Sequence, residues 1–256
     1  MKAFLAFFKK EMLGQLRSGK LFFLGILFVL FGIMNPALAK LTPWILEAFA
    51  DSLAESGMTV TAVSVSAMDS WVQFFKNIPM ALIAFVLLES GIFTGEYASG
   101  TLLLSLTKGL SRYKVVLSKT VALLLLWTLG FWACFGITYG YNAYFWDNSV
   151  AQGLLFSAFS WWLFGVLTVA LMVFFSTVCR TSSAVLLGTG GVILVSLLFG
   201  LIPPVARALP TMLTDGNSLI YGIKTAEDYL TALAVTAALC LVCFAVSIPI
   251  FNKKQM

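Results

Sequence analysis

Two glutamates stand in an apolar part of the chain, where their carboxylates could do chemistry. Glu89 and Glu96 are seven residues apart, which places them on nearly the same face of a helix. Paired carboxylates suit the acid–base work of a membrane-embedded lipid-modifying enzyme, although two acids make a thin cluster. A charge at the bilayer centre costs about 2.5–3.5 kcal/mol on insertion scales, so Glu89 is a candidate pathway residue. Reaching toward cytoplasmic water from the inner end of its span is the other interpretation of Glu89.

The remaining reactive groups argue against catalysis by this chain. It has no histidine, which excludes histidine-based triads, metal sites and proton relays. Cys240 and Cys243 form a C-x-x-C, but inside an apolar run where a free thiol serves as a small hydrophobic side chain. Residues 14–20 match the spacing G-x-x-x-x-G-K, yet Leu21 replaces the hydroxyl residue that would hold magnesium. We therefore predict no catalytic, cofactor-binding or metal site in this chain.

Composition indicates that lipid surrounds most of the protein. The chain has 256 residues, of which 60% are apolar and 11% charged, whereas a soluble domain carries about 25% charged residues. A helix needs about 20 mostly apolar residues to cross the hydrocarbon of a bilayer. We predict an all-α integral membrane protein with a single transmembrane domain over residues 1–256. Its six spans are expected at residues 21–39, 78–95, 116–139, 154–178, 184–202 and 229–251.

The distribution of basic residues predicts the orientation of these spans. If the amino terminus is cytoplasmic, twelve of the 16 basic residues lie on the inner side, because only Lys40, Lys76, Arg207 and Lys224 fall in outer segments. The positive-inside rule then places both termini in the cytoplasm, with the bacterial plasma membrane as the natural location. The net charge of +5 is explained by this topology, so nucleic acid is not expected as a partner. The fold of the outer segments 40–77 and 203–228 is left open.

Residues 1–20 are predicted to form a helix in the cytoplasmic membrane interface. Phe4, Phe8, Met12 and Leu16 recur every four residues and would share one apolar side of that helix. Basic residues fill the adjoining sector, which suits contact with anionic lipid headgroups. A simple basic anchor for the first span is the alternative. The basic residues concerned are Lys2, Lys9, Lys10 and Arg17.

Residues 96–115 form the predicted cytoplasmic loop between the second and third spans. The loop opens with Glu96, and Ser99, Gly100 and Thr101 then provide a helix break and a new cap. An apolar patch and several basic residues follow. A short amphipathic helix here would suit docking to a cytoplasmic partner, and an ordinary basic loop fits the pattern equally well.

The motifs of this loop resemble those of the membrane subunits of type-2 ABC transporters. The run Glu96-x-x-Ser-Gly-Thr-Leu is followed by Leu-Thr-Lys-Gly-Leu-Ser-Arg over residues 106–112, and by Lys119 at the start of a span. Gly109 stands where many relatives carry proline. The beginning and the end of the chain are similar to the family as well, through Lys10-Glu11, Arg17-Ser18, Lys20 and the ending Phe251-Asn-Lys-Lys-Gln.

The resemblance implies a permease subunit of an ATP-driven exporter that has no ATPase of its own. Two such subunits, identical or paired with a sister, would sit on separate ABC ATPase subunits that hold ATP and magnesium. The substrate is expected to be amphipathic, such as a peptide, an antibiotic or a lipid-like compound. A glycolipid or copper exporter, a lipid-modifying enzyme and a non-transporting immunity or anchor protein are the alternatives. The residues implied in coupling to the ATPase are Glu96, Ser99, Gly100, Thr101, Arg112 and Lys119.

Overall fold

The computed structural model describes residues 2–50, 64–107 and 109–254. Throughout these ranges the chain forms helices and connecting turns and no strand. Two short 3-10 turns lie at Asn148–Val150 and Pro210–Thr214. In chain order, the α-helices are α1 (Lys2–Arg17), α2 (Lys20–Ala48), α3 (Ala67–Glu89), α4 (Gly91–Ser99), α5 (Thr101–Thr107), α6 (Arg112–Phe145), α7 (Leu154–Val178), α8 (Ser182–Phe199), α9 (Pro203–Ala206), α10 (Gly216–Ile220) and α11 (Ala226–Lys253).

Six helical segments of the described chain are long and apolar enough to cross a membrane. They are α2, α3 joined to α4, α6, α7, α8 and α11, which confirms the prediction of an all-α protein with six spans. The first and last helices reach the same end of the bundle, here called the terminal end, and the opposite end is called the far end. That the terminal end faces the cytoplasm stays a prediction.

Several helices continue beyond the apolar runs that located them in the sequence. α2 extends to Ala48, and α3 begins at Ala67, eleven residues before the predicted start of the second span. The early start has a local cause, because the Ser66 hydroxyl accepts from the backbone of α3 while Asp69 accepts from the Ser66 backbone. The sequence left the fold of residues 203–228 undecided, and there the chain contains α9, a 3-10 turn and α10. In the other undecided segment, 40–77, residues 51–63 lie outside the described residues.

Three helices are joined at a proline inside α2. Pro36 has no backbone N–H, so the carbonyl of Gly32 one turn earlier has no helical donor. The hydroxyl of Thr138 on α6 donates to this carbonyl at 3.0 Å. Thr138 in turn accepts from Asn35 at 3.2 Å, and Asn35 accepts from Asn77 of α3 at 2.9 Å. Neighbouring helices thus satisfy the backbone group that the proline leaves unpaired in the membrane.

Aromatic side chains fill the centre of the bundle between α2, α3, α6 and α7. Trp127 of α6 is fully buried, and its ring meets the edges of Phe28 and Phe85 with ring centroids 6.0 and 5.7 Å apart. Gly165 of α7 makes room for it, since a Cβ at Gly165 would lie 2.1 Å from the Trp127 ring. This packing positions α6 against its neighbours, and the site described next lies at the base of α6.

Candidate coupling site

Four charged side chains from three helices meet at the terminal end, and we call Lys10, Glu11, Glu96 and Lys119 the charged cluster. Lys119 of α6 lies at its centre, with its Nζ 2.8 Å from Glu11 Oε2 and 3.1 Å from Glu96 Oε2. The Lys10 ammonium pairs with Glu96 and also approaches Glu11 at 3.4 Å. The cluster therefore ties α1 and α4 to the first turns of α6.

Burial makes this pairing obligatory for Lys119. Its side chain is 1% exposed and that of Glu11 is 8% exposed, whereas Lys10 is about half exposed at 48%. Removing an ion from water costs several kcal/mol unless partners replace the lost solvation. The ammonium of Lys119 donates hydrogen bonds to Glu11 Oε2 and to the carbonyl of Ile92, each at 2.8 Å, and it forms an ion pair with Glu96 Oε2 at 3.1 Å.

Helix α1 presents an unexpected face to the bundle. From Phe4 onward, where its side chains are described, the buried residues are Phe7, Glu11 and Gln15, which recur every four residues and form one stripe. The apolar side predicted from Phe4 and its neighbours lies beside this stripe and is partly or largely exposed. The stripe carries two polar residues because Gln15 pairs with Glu89 on α3 and Glu11 pairs with Lys119 on α6. A polar i, i+4 pair between apolar residues was the available sequence signal for Glu11 and Gln15, and it was missed.

Glu89 lies close to α1 and is fully buried. Gln15 donates to its Oε2 at 2.6 Å, and the Nζ of Lys20 lies 3.9 Å from its Oε1. Lys20 itself donates to the backbone carbonyl of Leu88 at 2.6 Å. Glu89 therefore joins α3 to the start of α2 and to α1, and its carboxylate is closed off from water in this conformation.

Three of the predicted coupling residues lie at the turn that follows Glu96, and we call Ser99, Gly100 and Thr101 the exposed tip. Gly100 ends α4 with a positive φ of 68°, and Ser99 and Thr101 on either side share a hydroxyl–hydroxyl hydrogen bond of 2.9 Å. Residues 99–101 are all exposed. Gly109, after α5, has a φ of 87°, a value that the ring of proline forbids. The turn at Gly109, after Lys108, which itself lies outside the described residues, therefore has a backbone conformation that proline could not adopt.

Arg112 connects the base of α6 to the end of α11. Its Nη1 donates to the carbonyls of Phe251, Asn252 and Lys254 at 3.1, 2.9 and 2.7 Å. Lys254 in turn donates to the carbonyl of Cys179 at 2.6 Å, just past the end of α7. Cations are favourable at helix carboxyl ends, where backbone carbonyls lack helical partners. The six predicted coupling residues thus fall into three places, which are the charged cluster, the exposed tip and this junction of helix ends, while Glu89 lies apart from them between α1, α2 and α3.

Comparison with known proteins identifies the family of the chain. A family model described as ABC-2 family transporter protein matches residues 5–256, from α1 to the end of the chain. A comparison with curated proteins found no match. The family match confirms the resemblance inferred from the loop motifs, and the six membrane-spanning helices are those that a multi-pass permease requires. The chain belongs to the ABC-2 family of transporter proteins and is a permease of the cell membrane.

Proposed function

We propose that the protein is the permease subunit of an ATP-driven exporter, in which separate ATPase subunits move the terminal end of the bundle. The observation that supports this most is the buried pairing of Lys119 with Glu11 and Glu96. Because this pairing fixes α1 and α4 to α6, a force on any one of them reaches all three. In the proposed mechanism, the charged cluster transmits the movement of the ATPase subunits between α1, α4 and α6.

The docking surface for the ATPase is proposed to be the exposed tip at residues 99–101 together with α1. Proteins of this family associate with ABC ATPase components, and the exposed tip follows Glu96 of the charged cluster by three to five residues. ATP and magnesium would be held entirely by those partners. A second permease subunit, either a copy of this chain or a sister, would complete the transporter.

Arg112 gives the proposed movement a route through the bundle. A tilt of α6 at its base would pull on the ends of α11 and, through Lys254, of α7. Such a movement would rock the helices between inward-open and outward-open arrangements. The substrate class that fits the apolar interior is an amphipathic compound such as a peptide, an antibiotic or a lipid-like molecule.

The test is reconstitution of the permease with the ATPase that co-purifies from host membranes. In proteoliposomes, we expect Glu96→Gln to keep a folded protein and a bound ATPase but to lower the amount of substrate moved per ATP hydrolysed. Lys76→Gln, an exposed change near the far end, is the matched control and should behave like the wild type. Unchanged coupling in Glu96→Gln, or the absence of any ATPase among the co-purified proteins, would overturn the proposal.

A further inference from the structure

A cavity of about 580 Å³ lies between α3, α7 and α8. Its floor is formed by Trp161 and Phe164 of α7, which are 3% and 5% exposed. Its mouth opens sideways between α3 and α8, where Ile83 and Leu87 are more than half exposed. All of the described residues that line it are uncharged. The cavity therefore suits an uncharged molecule, and its volume falls within the range of about 300–1,000 Å³ that is usual for small-molecule pockets.

One hydroxyl group at this cavity lacks a partner. Thr168 and Thr236, two other buried threonines of the spans, donate to the carbonyl one helical turn earlier at 3.1 and 2.6 Å. Thr189 lines the cavity and is 1% exposed, yet its hydroxyl has no hydrogen-bond partner among the described residues. A buried polar group without a partner costs free energy, which a ligand acceptor would recover.

The depth of Thr189 restricts the ligand. It is the eighth of the 18 residues of α8, so it lies about 10 Å along the helix axis and near the middle of the span. A phospholipid keeps its ester and headgroup atoms at the membrane interface and would bring only hydrocarbon to this depth. A ligand that accepts a hydrogen bond from the Thr189 hydroxyl must instead carry its acceptor atom within the apolar part of the molecule.

We infer that the cavity binds a neutral amphiphile with an amide or ester carbonyl embedded in hydrocarbon, and that Thr189 donates a hydrogen bond to this carbonyl. The inference rests on the proposed function, since it names the substrate class for the same permease. The ligand enters from the side between α3 and α8, and its apolar parts pack on Trp161 and Phe164. At the far end the cavity is closed by Thr214, whose carbonyl accepts from Trp161 Nε1 at 2.8 Å.

The experiment uses the full chain in lipid nanodiscs, without ATPase, and two photoactivatable probes of equal length. One probe is a long-chain alkyl diazirine with an amide in mid-chain, and its matched partner has methylenes in place of the amide. Cross-links are mapped by mass spectrometry. We expect the amide probe to label the residues lining the cavity about three- to tenfold more than the hydrocarbon probe, which is the range for one net hydrogen bond.

Variants distinguish the contribution of the hydrogen bond to labelling from the contribution of the cavity's shape. Thr189→Val keeps the volume and should remove the preference for the amide, whereas Thr189→Ser should retain it. A Cβ at Gly190 would meet no described atom within 4 Å, so Gly190→Leu should extend into the cavity and exclude both probes. Leu230→Trp on an exposed face of α11 is the control that should change neither. Equal labelling by both probes in the wild type, or an amide preference that persists in Thr189→Val, would overturn the inference. Because the assay measures binding alone, a positive result with no ATP-driven transport would instead contradict the proposed function.

Discussion

The Nζ of Lys119 lies 2.8 Å from the Oε2 of Glu11, although 108 residues separate them in the chain. Both side chains are buried, and Glu96 completes the pairing from a third helix. A pair of this kind contributes less to net stability than its Coulomb attraction suggests, because both ions were taken out of water. Its value lies in specifying that α1, α4 and α6 meet in one arrangement.

Substitution of Lys119 should show that the arrangement of α1, α4 and α6 depends on its buried charge. Lys119→Met leaves the buried Glu11 and the partly buried Glu96 without their common partner, so we expect a loss of about 3–5 kcal/mol of stability. Thermal unfolding in detergent, followed by tryptophan fluorescence, provides the measurement. Lys10→Met is the matched control, and we expect it to cost less than about 1 kcal/mol because Lys10 is half exposed. Equal destabilisation by the two changes would show that Lys119 does not organise the charged cluster.

The hydrogen bond from Thr138 to Gly32 predicts a non-additive pair of changes. Thr138→Val keeps the side-chain shape but removes the donor, with an expected cost of about 0.6–1.7 kcal/mol for a hydrogen bond between membrane helices. Pro36→Ala returns a backbone N–H to the Gly32 carbonyl. The cost of Thr138→Val should therefore shrink in the Pro36→Ala background, as measured by a double-mutant cycle of unfolding midpoints. An unchanged cost would mean that Thr138 does not replace the missing helical bond.

The positive φ of Gly100 predicts a cost that comes from backbone conformation alone. A Cβ at Gly100 would have no described atom within 4 Å, so Gly100→Ala should lose about 1–2 kcal/mol through the left-handed backbone only. Gly95 has equally open surroundings but lies inside α4, so Gly95→Ala should be neutral or stabilising. Unfolding midpoints of the two variants compare these effects, and a similar loss in both would contradict the explanation.

The orientation of the bundle can be tested by labelling engineered cysteines with a membrane-impermeant maleimide. In a background without native cysteines, we expect Tyr221→Cys at the far end to react in intact cells and Ser99→Cys to react only after permeabilisation. Both positions are exposed, so access to the reagent depends on the side of the membrane. Reaction of Ser99→Cys in intact cells would place the terminal end outside. The native cysteines to be replaced are Cys134, Cys179, Cys240 and Cys243.

Acid should loosen the far-end segment around Asp215. Burial alone would raise the pKa of Asp215, but hydrogen bonds from Lys224 and Ser218 lower the pKa below its ordinary value. The stability from the ionised carboxylate is therefore complete above the unfolded pKa of about 3.9 and is lost as the pH falls through the lower folded pKa. Hydrogen exchange of residues 210–220 between pH 6 and pH 3 measures this loss. Asp215→Asn should remove the acid-dependent part, and an identical acid response in that variant would refute the assignment.

Sequence patterns located the spans but not the contacts between them. The apolar runs predicted all six membrane helices, because a span is a local property of about 20 residues. The four-residue spacing of Phe4 and Phe8 also predicted the helical form of α1. The inward face of that helix is set by Lys119 and Glu89, which are distant in sequence, so the local spacing of Glu11 and Gln15 could mark a polar stripe but could not identify its partners. For the same reason Glu89 was recognised as unusual while its partner Gln15 was not.

The charged cluster contains two lysines and two glutamates, so in their ordinary ionisation states it has no net charge. Moving one elementary charge through a membrane potential involves about 2.3 kcal/mol per 100 mV. Because the opposite charges are held together, the electric field would do almost no work on them if α1, α4 and α6 shifted as a unit, as proposed. The membrane voltage would then neither drive nor oppose that shift through these four groups, whether the cell is energised or depolarised.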